Sequence, residues 1–443
     1  MTDDYLFVQP LWASVLQPTL PVHHSSRSTW RITTIYAVGA IAAGALLPRI
    51  EDRLLPSLVS PVSVPAAMAI YSSIASGMIA LTGIVFSLTF VMVQFSATAY
   101  SPRLVLWFAR DPLLAHAFGT FTATFLYAIA ALEWIDRNGA PGRVPLVSTL
   151  MVLGLLLTSV AMFVGLINRV ALLQISRTLA FTGDQGRKVI DALYPQRSTA
   201  VPDITPRPPE PAPVTQVVTH CGSPLSVARV DVDTLVHLAS TADALIEVAV
   251  AVGDTVEESM EVVRVIGGRA PIDERALTDC IGLGVERTFE QDPKYAIRLL
   301  VDIAIRALSS AINDPTTAVQ ALDQIGDLLL RLARRRLEIG AVYDDRGALR
   351  LTIPTPTWED YLWLAFGEIS SYGASSLQVM RRMNSLVADL MVIVPPERRS
   401  TLHFWQARLR RRVTTTFVDP DDRAAASTED RQGLGVPRRA SGM

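Results

Sequence analysis

The chain has 443 residues, of which 50% are hydrophobic and 19% are charged, and its mean hydropathy is +0.31. Soluble domains contain about 25% charged residues, so this composition indicates a membrane protein that also carries soluble material. The net charge of -2 lacks the basic excess of a nucleic-acid-binding domain, so we expect no nucleic-acid partner. Two distant cysteines and six scattered histidines form no metal-binding motif, and we predict neither a metal nor a cofactor.

Four long apolar stretches occupy the first 170 residues and predict four transmembrane helices. We place the spans at about 32–48, 64–100, 113–134 and 144–168. The second is about 50 Å long as one helix, which exceeds the roughly 30 Å hydrocarbon core. We therefore expect it to tilt, to bend near Gly77 or Gly83, or to protrude.

Basic residues flank these spans unequally. Cytoplasmic ends of spans carry the positive excess, so the side with more arginine is predicted to be the inner one. The richer side has Arg27, Arg31, Arg103, Arg110, Arg169, Arg177, Arg187 and Lys188, and the poorer side has Arg49, Arg53, Arg137 and Arg143. Both termini and the remainder of the chain are thus predicted to be cytoplasmic at the cell membrane.

One stripe of the second span consists of small and polar residues. On a 3.6-residue period it contains Ser72, Ser76, Gly83, Ser87 and Gln94. Small residues favour helix packing, either within the bundle or between subunits of a homo-oligomer. The alternative is a pore lined by the stripe. An ion-coupled transporter is disfavoured because no span carries an ionisable side chain at its middle.

The polar remainder of the chain predicts a cytoplasmic α+β domain. The predicted fold class is therefore an α-helical membrane protein with four transmembrane helices and a cytoplasmic α+β domain. We divide the chain into an N-terminal segment (1–30), the transmembrane domain (31–170), a helix with a Pro-rich linker (171–213), a small β-rich subdomain (214–268), a helical subdomain with a hairpin (269–417) and a disordered tail (418–443). Arginines 408 and 410–412 are interpreted as a solvated helix end, with contact to anionic lipid as the alternative.

The densest polar pattern lies between residues 279 and 330. It contains two Asp-Pro pairs, which predict N-capped helix starts, and charged residues at helical spacing. The candidate cluster is Arg287, Gln291, Asp292, Arg298, Asp302, Arg306, Asn313 and Asp314. Caps and ion pairs are the favoured interpretation, and binding of a phosphate or a metal is the alternative. We predict no catalytic residues and no enzyme, because nucleotide-binding and hydrolase motifs are missing from the sequence.

The segments SPRLVLWFARDP (101–112), ERTFEQDP (286–293), LVDIAIRALS (300–309) and INDPTTAV (312–319) together carry a resemblance. The chain resembles the bacterial predicted membrane protein family known as domain of unknown function 2254, from the first span to about residue 351. Ser310 stands where the family pattern usually has proline. The resemblance implies an integral membrane protein without an assigned activity, and it supplies no catalytic residues.

Two functional hypotheses follow from these features. The first is an oligomeric membrane protein with a cytoplasmic sensing or gating head and channel-like activity, in which the second span forms the central contact. The alternative is a membrane-anchored scaffold or ligand sensor without transport, whose small-molecule or ion ligand the sequence leaves open. The expected partners are the lipid bilayer and further copies of the chain.

Overall fold

The structure, a computed structural model, describes residues 26–54, 60–99, 112–137, 144–171, 175–196 and 212–435. The described residues form two compact units, which divide between residues 174 and 175. We call the first unit the base and the second the head, and each is described by itself.

Four described helices form the base, and all four are long and apolar enough to cross a membrane. They are α1 (Ser26–Leu54), α2 (Val64–Ala99), α3 (Pro112–Arg137) and α4 (Leu146–Ala171). The overlong second helix is confirmed, because α2 is continuous over 36 residues, or about 54 Å. Its candidate membrane span alone, Val64–Val91, has 28 residues or about 42 Å, which exceeds the roughly 30 Å hydrocarbon core.

α3 is the central helix of the base. Half of its apolar window is buried, against 17% for each of the other three. Small residues allow α1 to approach it closely: a Cβ on Gly44 would lie 2.7 Å from the Cβ of Ala130, and one on Gly119 would lie 2.9 Å from the ring of Tyr36. The outward faces of the base carry exposed isoleucine, leucine, valine and phenylalanine side chains, as expected of helices in contact with lipid.

Polar contacts connect the outer helices of the base as well. The hydroxyls of Tyr71 on α2 and Thr149 on α4 share a buried hydrogen bond of 2.9 Å. At the start of α4, the carboxylate of Glu51 accepts hydrogen bonds from the backbone N–H groups of Val147 and Ser148, at 2.7 and 3.1 Å. The end of α1 thus caps the N-terminus of α4, where a negative charge is stabilised.

The head contains a layer of packed helices. They are α5 (Ile175–Leu193), α8 (Pro293–Ala307), α9 (Pro315–Ala333), α10 (Trp358–Tyr372), α11 (Leu377–Ile393), a 3₁₀ turn (Pro396–Arg398), α12 (Arg399–Thr416) and α13 (Pro420–Ser427). As its apolar residues predict, α8 is buried on most sides. α5 belongs to this layer, because Gly186 lets it approach so closely that an added Cβ would lie 2.7 Å from Leu328 and 3.0 Å from Ala296. Residues 197–211 of the predicted linker lie outside the described residues.

Within residues 212–435, two sheets accompany the helices. Their elements are β1 (Val214–Thr219), β2 (Leu225–Val230), α6 (Val232–Ala242), β3 (Ala244–Val248), β4 (Thr255–Val256), β5 (Glu261–Gly267), α7 (Glu274–Asp279), β6 (Ile281–Gly284), β7 (Ala341–Tyr343) and β8 (Leu349–Thr352). The larger sheet has the order β1-β5-β3-β8-β7, and the smaller has the order β4-β2-β6. Only β3 and β8 pair in parallel among the described strands.

The predicted boundary between a β-rich and a helical subdomain at residue 268 is wrong. β7 and β8 form the expected hairpin, but β8 then pairs with β3 and brings Leu351 opposite Ile246. β6 likewise joins β2 in the smaller sheet. Leu351 and Val342 are part of the same hydrophobic core as Val263, so one core crosses the predicted boundary. An isolated hairpin is marginally stable, and pairing with β3 provides the sheet that it needs.

The predicted disordered tail is also wrong for residues 418–435. α13 begins with an Asp419 cap, and the side chain of Ala426 is fully buried. Arg381 on α11 donates from Nε to the carbonyl oxygen of Ala425 at 2.7 Å, and Arg431 forms an ion pair with Asp389 at 2.5 Å. The charges that suggested a solvated tail therefore attach it to α11. Residues 436–443 lie outside the described residues.

Candidate functional site

The two Asp-Pro pairs cap two helices, as predicted. Oδ1 of Asp292 accepts a hydrogen bond from the N–H of Tyr295 at 3.1 Å, and Oδ1 of Asp314 accepts one from the N–H of Thr317 at 3.1 Å. In both helices the following proline occupies the first turn, where its missing N–H costs nothing. Asp292 precedes α8 and Asp314 follows it, so the two carboxylates lie at opposite ends of a helix about 22 Å long.

Asp292 also forms a buried ion pair. Arg287 donates to its Oδ2 from Nε and Nη2, at 2.8 and 2.5 Å. The Asp292 side chain is 2% exposed and that of Arg287 is 24% exposed. Burial raises the pKa of Asp292 above its usual value, and the neighbouring guanidinium of Arg287 opposes that rise. The carboxylate thus has two functions, as a helix cap and as a partner of Arg287.

The turn at Gly253 encloses this ion pair. A Cβ on Gly253 would lie 2.4 Å from Oδ2 of Asp292 and 2.6 Å from Nη2 of Arg287, and the residue has a φ of +90°. Only glycine accepts both the left-handed backbone and the close approach. The Gly-Asp turn that the sequence indicates between two strands is therefore also one wall of the Arg287–Asp292 site.

A pair of buried tyrosines lies near Asp292. The hydroxyls of Tyr194, just after α5, and Tyr361, on α10, are 2.8 Å apart. Burial raises the pKa of Tyr194 to about 12 and raises that of Tyr361 as well, and the negative charge of Asp292 contributes in the same direction. Both phenols remain protonated at neutral pH, so they act as hydrogen-bonding groups and not as bases.

A small cavity lies beside the same residues. It is lined by Tyr194, Val230, Gln291, Asp292, Lys294 and the segment 353–356, among others, and its volume is about 60 Å³. Gln291 bridges to the edge of β2, because its amide accepts from the N–H of Val230 at 2.9 Å and donates to its carbonyl oxygen at 3.2 Å. Ligand pockets usually measure about 300–1,000 Å³, so this cavity has room for a few water molecules only.

The charged stripe of α8 forms a separate group. Arg298 is hydrogen-bonded to Asp302, through Nε at 2.7 Å and also through Nη2, and it donates to Glu368 on α10 at 2.7 Å. The bond to Glu368 and the pair with Asp302 raise the pKa of Arg298, and Arg298 in turn lowers the pKa of Glu368. Arg306 lies two turns beyond Arg298 on α8. The group connects α8 to α10.

The eight residues of the candidate cluster therefore lie in three places. Arg287, Gln291 and Asp292 surround the start of α8, Arg298, Asp302 and Arg306 follow its middle and end, and Asn313 and Asp314 form the turn before α9. Asn313 has a left-handed backbone with a φ of 49°, which asparagine tolerates better than most residues. Among the described residues, no three His, Cys, Asp or Glu side chains are placed to hold a metal ion.

Sequence reasoning missed three members of these sites. Glu368, Tyr194 and Tyr361 carry no local signal, because each meets its partner across more than 60 residues of chain. Gly253 was visible as a turn residue, but its contact with Asp292 was not. The two Asp-Pro caps and the pair of Arg298 with Asp302 follow from sequence spacing.

The candidate stripe of α2 faces outward from the base. Ser72, Ser76, Gly83, Ser87 and Gln94 are all exposed. The buried face of α2 instead consists of Ala67, Tyr71, Ala75, Met78 and Val85. At 100° per residue, the centres of the two faces are about 140° apart around the helix. Packing against the described helices of the same chain, one of the two packing modes predicted for the stripe, is therefore not found for Ser72, Ser76, Gly83 and Ser87.

Comparison with known proteins places this architecture in a family. The family model described as Predicted membrane protein (DUF2254) matches residues 26–389. The uncharacterized protein Rv1290c of Mycobacterium tuberculosis is 28% identical over 432 residues, which cover 94% of this chain and 80% of the relative. The uncharacterized protein Mb1321c of Mycobacterium bovis matches with the same identity and coverage. No solved structure matches the chain.

Proposed function

Because the chain belongs to the DUF2254 family of predicted membrane proteins, we propose that it is a cell-membrane protein that assembles into a homo-oligomer through α2. Its head is cytoplasmic in this proposal. The observation that carries the proposal is the outward position of the hydroxyl residues on α2.

Three of these hydroxyls find no hydrogen-bond partner among the described residues. Within the part of the chain that the structure describes, the side chains of Ser72, Ser76 and Ser87 make no hydrogen bond. Thr82 and Thr89 on the same helix satisfy theirs by donating to backbone carbonyl oxygens one turn earlier, both at 2.7 Å. In lipid an unpaired hydroxyl costs free energy, so a face with three of them favours contact with another helix or with water.

The shape of the stripe suits a second helix. Gly83 lies in its middle, and nothing lies within 4 Å of the position that a Cβ would occupy. Small residues at such a face let two backbones approach and let hydroxyls bond across the contact. The isologous partner that satisfies both requirements is the same stripe on another copy of the chain.

Cysteine cross-linking in native membranes tests this contact. The background variant is Cys221→Ser, which removes the exposed native cysteine and leaves Cys280 buried. Into it we would place Ser87→Cys on the stripe and, as a matched control, Leu88→Cys, which is the next exposed residue and lies about 100° further around α2. Mild oxidation is expected to give disulfide-linked dimers with Ser87→Cys only.

Two results would contradict the proposal. Equal cross-linking at positions 87 and 88 would indicate random collision, and a monomeric mass for the purified chain in mild detergent would exclude a stable oligomer. The variant Gly83→Leu tests the contact sterically, because the larger side chain fills the open space on the stripe. We expect this variant to have the mass of a monomer.

The orientation rests on the arginine count. Eight basic residues flank the spans on the side of the head and four on the other side. The exposed thiol of Cys221, in the head, is a native reporter of this orientation. An impermeant maleimide should label it only after spheroplasts of an expression host are permeabilised, and the Cys221→Ser variant should stay unlabelled. Labelling in sealed spheroplasts would reverse the orientation.

A hydrophilic conduit is the second candidate function, and the same hydroxyl stripe favours it. If several copies surround an axis, Ser72, Ser76 and Ser87 provide a polar lining without charge. Flux through liposomes that contain the purified chain tests this role. Ion or solute flux that Gly83→Leu abolishes would support the conduit. Liposomes that stay impermeable under voltage and osmotic shock would contradict it, and the oligomer would then serve as a membrane anchor and scaffold.

The polar cluster of the head supports ligand sensing less well. Arg287 and Arg298, the arginines that an anion would need, are already paired with Asp292 and with Asp302 and Glu368. The adjoining cavity holds a few water molecules at most. Thermal-shift screening of the full chain with phosphate and divalent cations tests the sensor role. A rise in melting temperature that the Arg298→Gln variant no longer shows would make ligand sensing the better proposal.

A further inference from the structure

One surface of the head combines exposed aromatic rings with arginines. It is formed by α10 and α12, and we call it the aromatic–arginine surface: Trp363, Phe404, Arg408, Arg411 and Arg412. Trp363 is 46% exposed and Phe404 is 41% exposed, although both belong to large apolar residue types that are usually buried. Their rings are in contact, with centroids 5.9 Å apart.

Two arginines of this surface are held by aromatic rings and by a hydroxyl. The guanidinium of Arg408 lies over the rings of Trp363 and Trp405, at 4.9 and 5.4 Å from their centroids. Arg412 donates to the hydroxyl of Ser371 on α10 at 2.7 Å. Arg411 is exposed on the same side of α12, three residues after Arg408.

Several other arginines of the head are paired with acids, as Arg287, Arg298, Arg350 and Arg382 are. Among the residues that the structure describes, Arg408, Arg411 and Arg412 have no carboxylate within ion-pair distance. Burial and the like charge of Arg408 lower the pKa of Arg412. An anion bound at this surface would relieve that repulsion.

We propose that the aromatic–arginine surface docks the head onto anionic phospholipid headgroups of a bilayer. The guanidinium groups pair with phosphate oxygens, and the rings of Trp363 and Phe404 enter the interfacial layer. This role goes beyond oligomerisation through α2 and does not depend on it.

Three features favour a lipid surface over a free anion or a nucleic acid. Exposed rings beside the arginines suit a boundary between water and hydrocarbon, whereas a free phosphate needs convergent donors in a pocket. The chain also carries four helices long and apolar enough to cross a membrane, so a bilayer is an anionic partner at high effective concentration. The whole chain is nearly neutral and lacks the basic excess of a nucleic-acid-binding protein, so the arginines form a local basic patch.

Arginine footprinting of the full chain in lipid nanodiscs tests the proposal. The chain is reconstituted in discs of phosphatidylcholine alone or of phosphatidylcholine with phosphatidylglycerol, and an arginine-specific dicarbonyl reagent is applied. Mass spectrometry then gives the modification rate at each arginine. Arg411 should react several-fold more slowly in the anionic discs, and high salt should restore its rate. Arg410, exposed on another face of the same helix, is the internal control and should react equally in both discs.

A pair of variants sharpens the test. Arg412→Gln removes one cation from the surface and should reduce the protection of Arg411 by roughly fivefold, whereas Arg410→Gln should leave it unchanged. Equal rates for Arg411 in both discs would overturn the proposal. Protection by inorganic phosphate in detergent would assign a free-anion site instead, and protection that nuclease removes would assign the surface to nucleic acid.

Discussion

Removing the charge of Arg287 should expose the cost of burying Asp292. The substitution Arg287→Met keeps a side chain of similar length against the ring of Tyr295, which lies 5.5 Å from the guanidinium, but it leaves the carboxylate unpaired. Breaking a buried ion pair costs about 3–5 kcal/mol, and since Arg287 is 24% exposed we expect about 3 kcal/mol. For a unit of this size, that corresponds to a fall in melting temperature of roughly 6–12 °C.

The loss should depend on pH in a definite direction. Burial already raises the folded-state pKa of Asp292 above its unfolded value, so the folded state binds this proton more tightly. Stability from this group is therefore highest at low pH and falls as the pH rises through the folded-state pKa. Without Arg287 the pKa rises further, so the penalty of the variant should be larger at pH 7.5 than at pH 5.

Thermal unfolding of the detergent-solubilised chain, followed by intrinsic fluorescence, measures both effects. Asp292→Asn is the matched control, because asparagine caps a helix as well as aspartate and carries no charge. Asp292→Asn should lower the free energy of unfolding by less than Arg287→Met does. The double variant should recover much of the stability that Arg287→Met loses. A deficit that is equal at pH 5 and pH 7.5, or a double variant as unstable as Arg287→Met, would refute the reasoning.

Three further changes test the packing of the head. Gly253→Ala should lower the free energy of unfolding by at least about 2 kcal/mol, because it combines a positive φ with a clash against Asp292; Gly347→Ala, at a φ of +75° with open space, should cost less in the same denaturation assay. Tyr361→Phe leaves the buried hydroxyl of Tyr194 unpaired and should cost about 1–2 kcal/mol, whereas an unchanged unfolding midpoint would contradict the hydrogen bond. Ala426→Glu forces a charge into a fully buried position and should detach α13, so residues 418–435 should become protease-sensitive in the variant and remain resistant in the parent chain.

Local pattern was sufficient for the helices and their caps. The four long helices of the base follow from uninterrupted apolar sequence, and both Asp-Pro pairs start helices where the spacing predicts them. The β7–β8 hairpin follows from its turn residues in the same way. Each of these features depends on side chains within a few residues of one another, which is the range that periodicity and capping rules describe.

Contacts between distant segments were decided by the tertiary structure alone. Sequence could not show that β8 pairs with β3, that Glu368 shares Arg298 with Asp302, or that a charged tail packs on α11. It also could not assign the small-residue stripe of α2 to the outward face of the base.

The physical reason is the same in each case. Amphipathic spacing specifies which residues share one side of a helix or strand, but the partner of that side is selected by packing and charge compensation over the whole chain. The amino-acid sequence by itself therefore determined the four apolar helices, the capped helices of the head and membership of the DUF2254 family. The tertiary structure decided that Gly253 encloses the Arg287–Asp292 pair and that Ser72, Ser76 and Ser87 of α2 lie exposed on the outward face of the base.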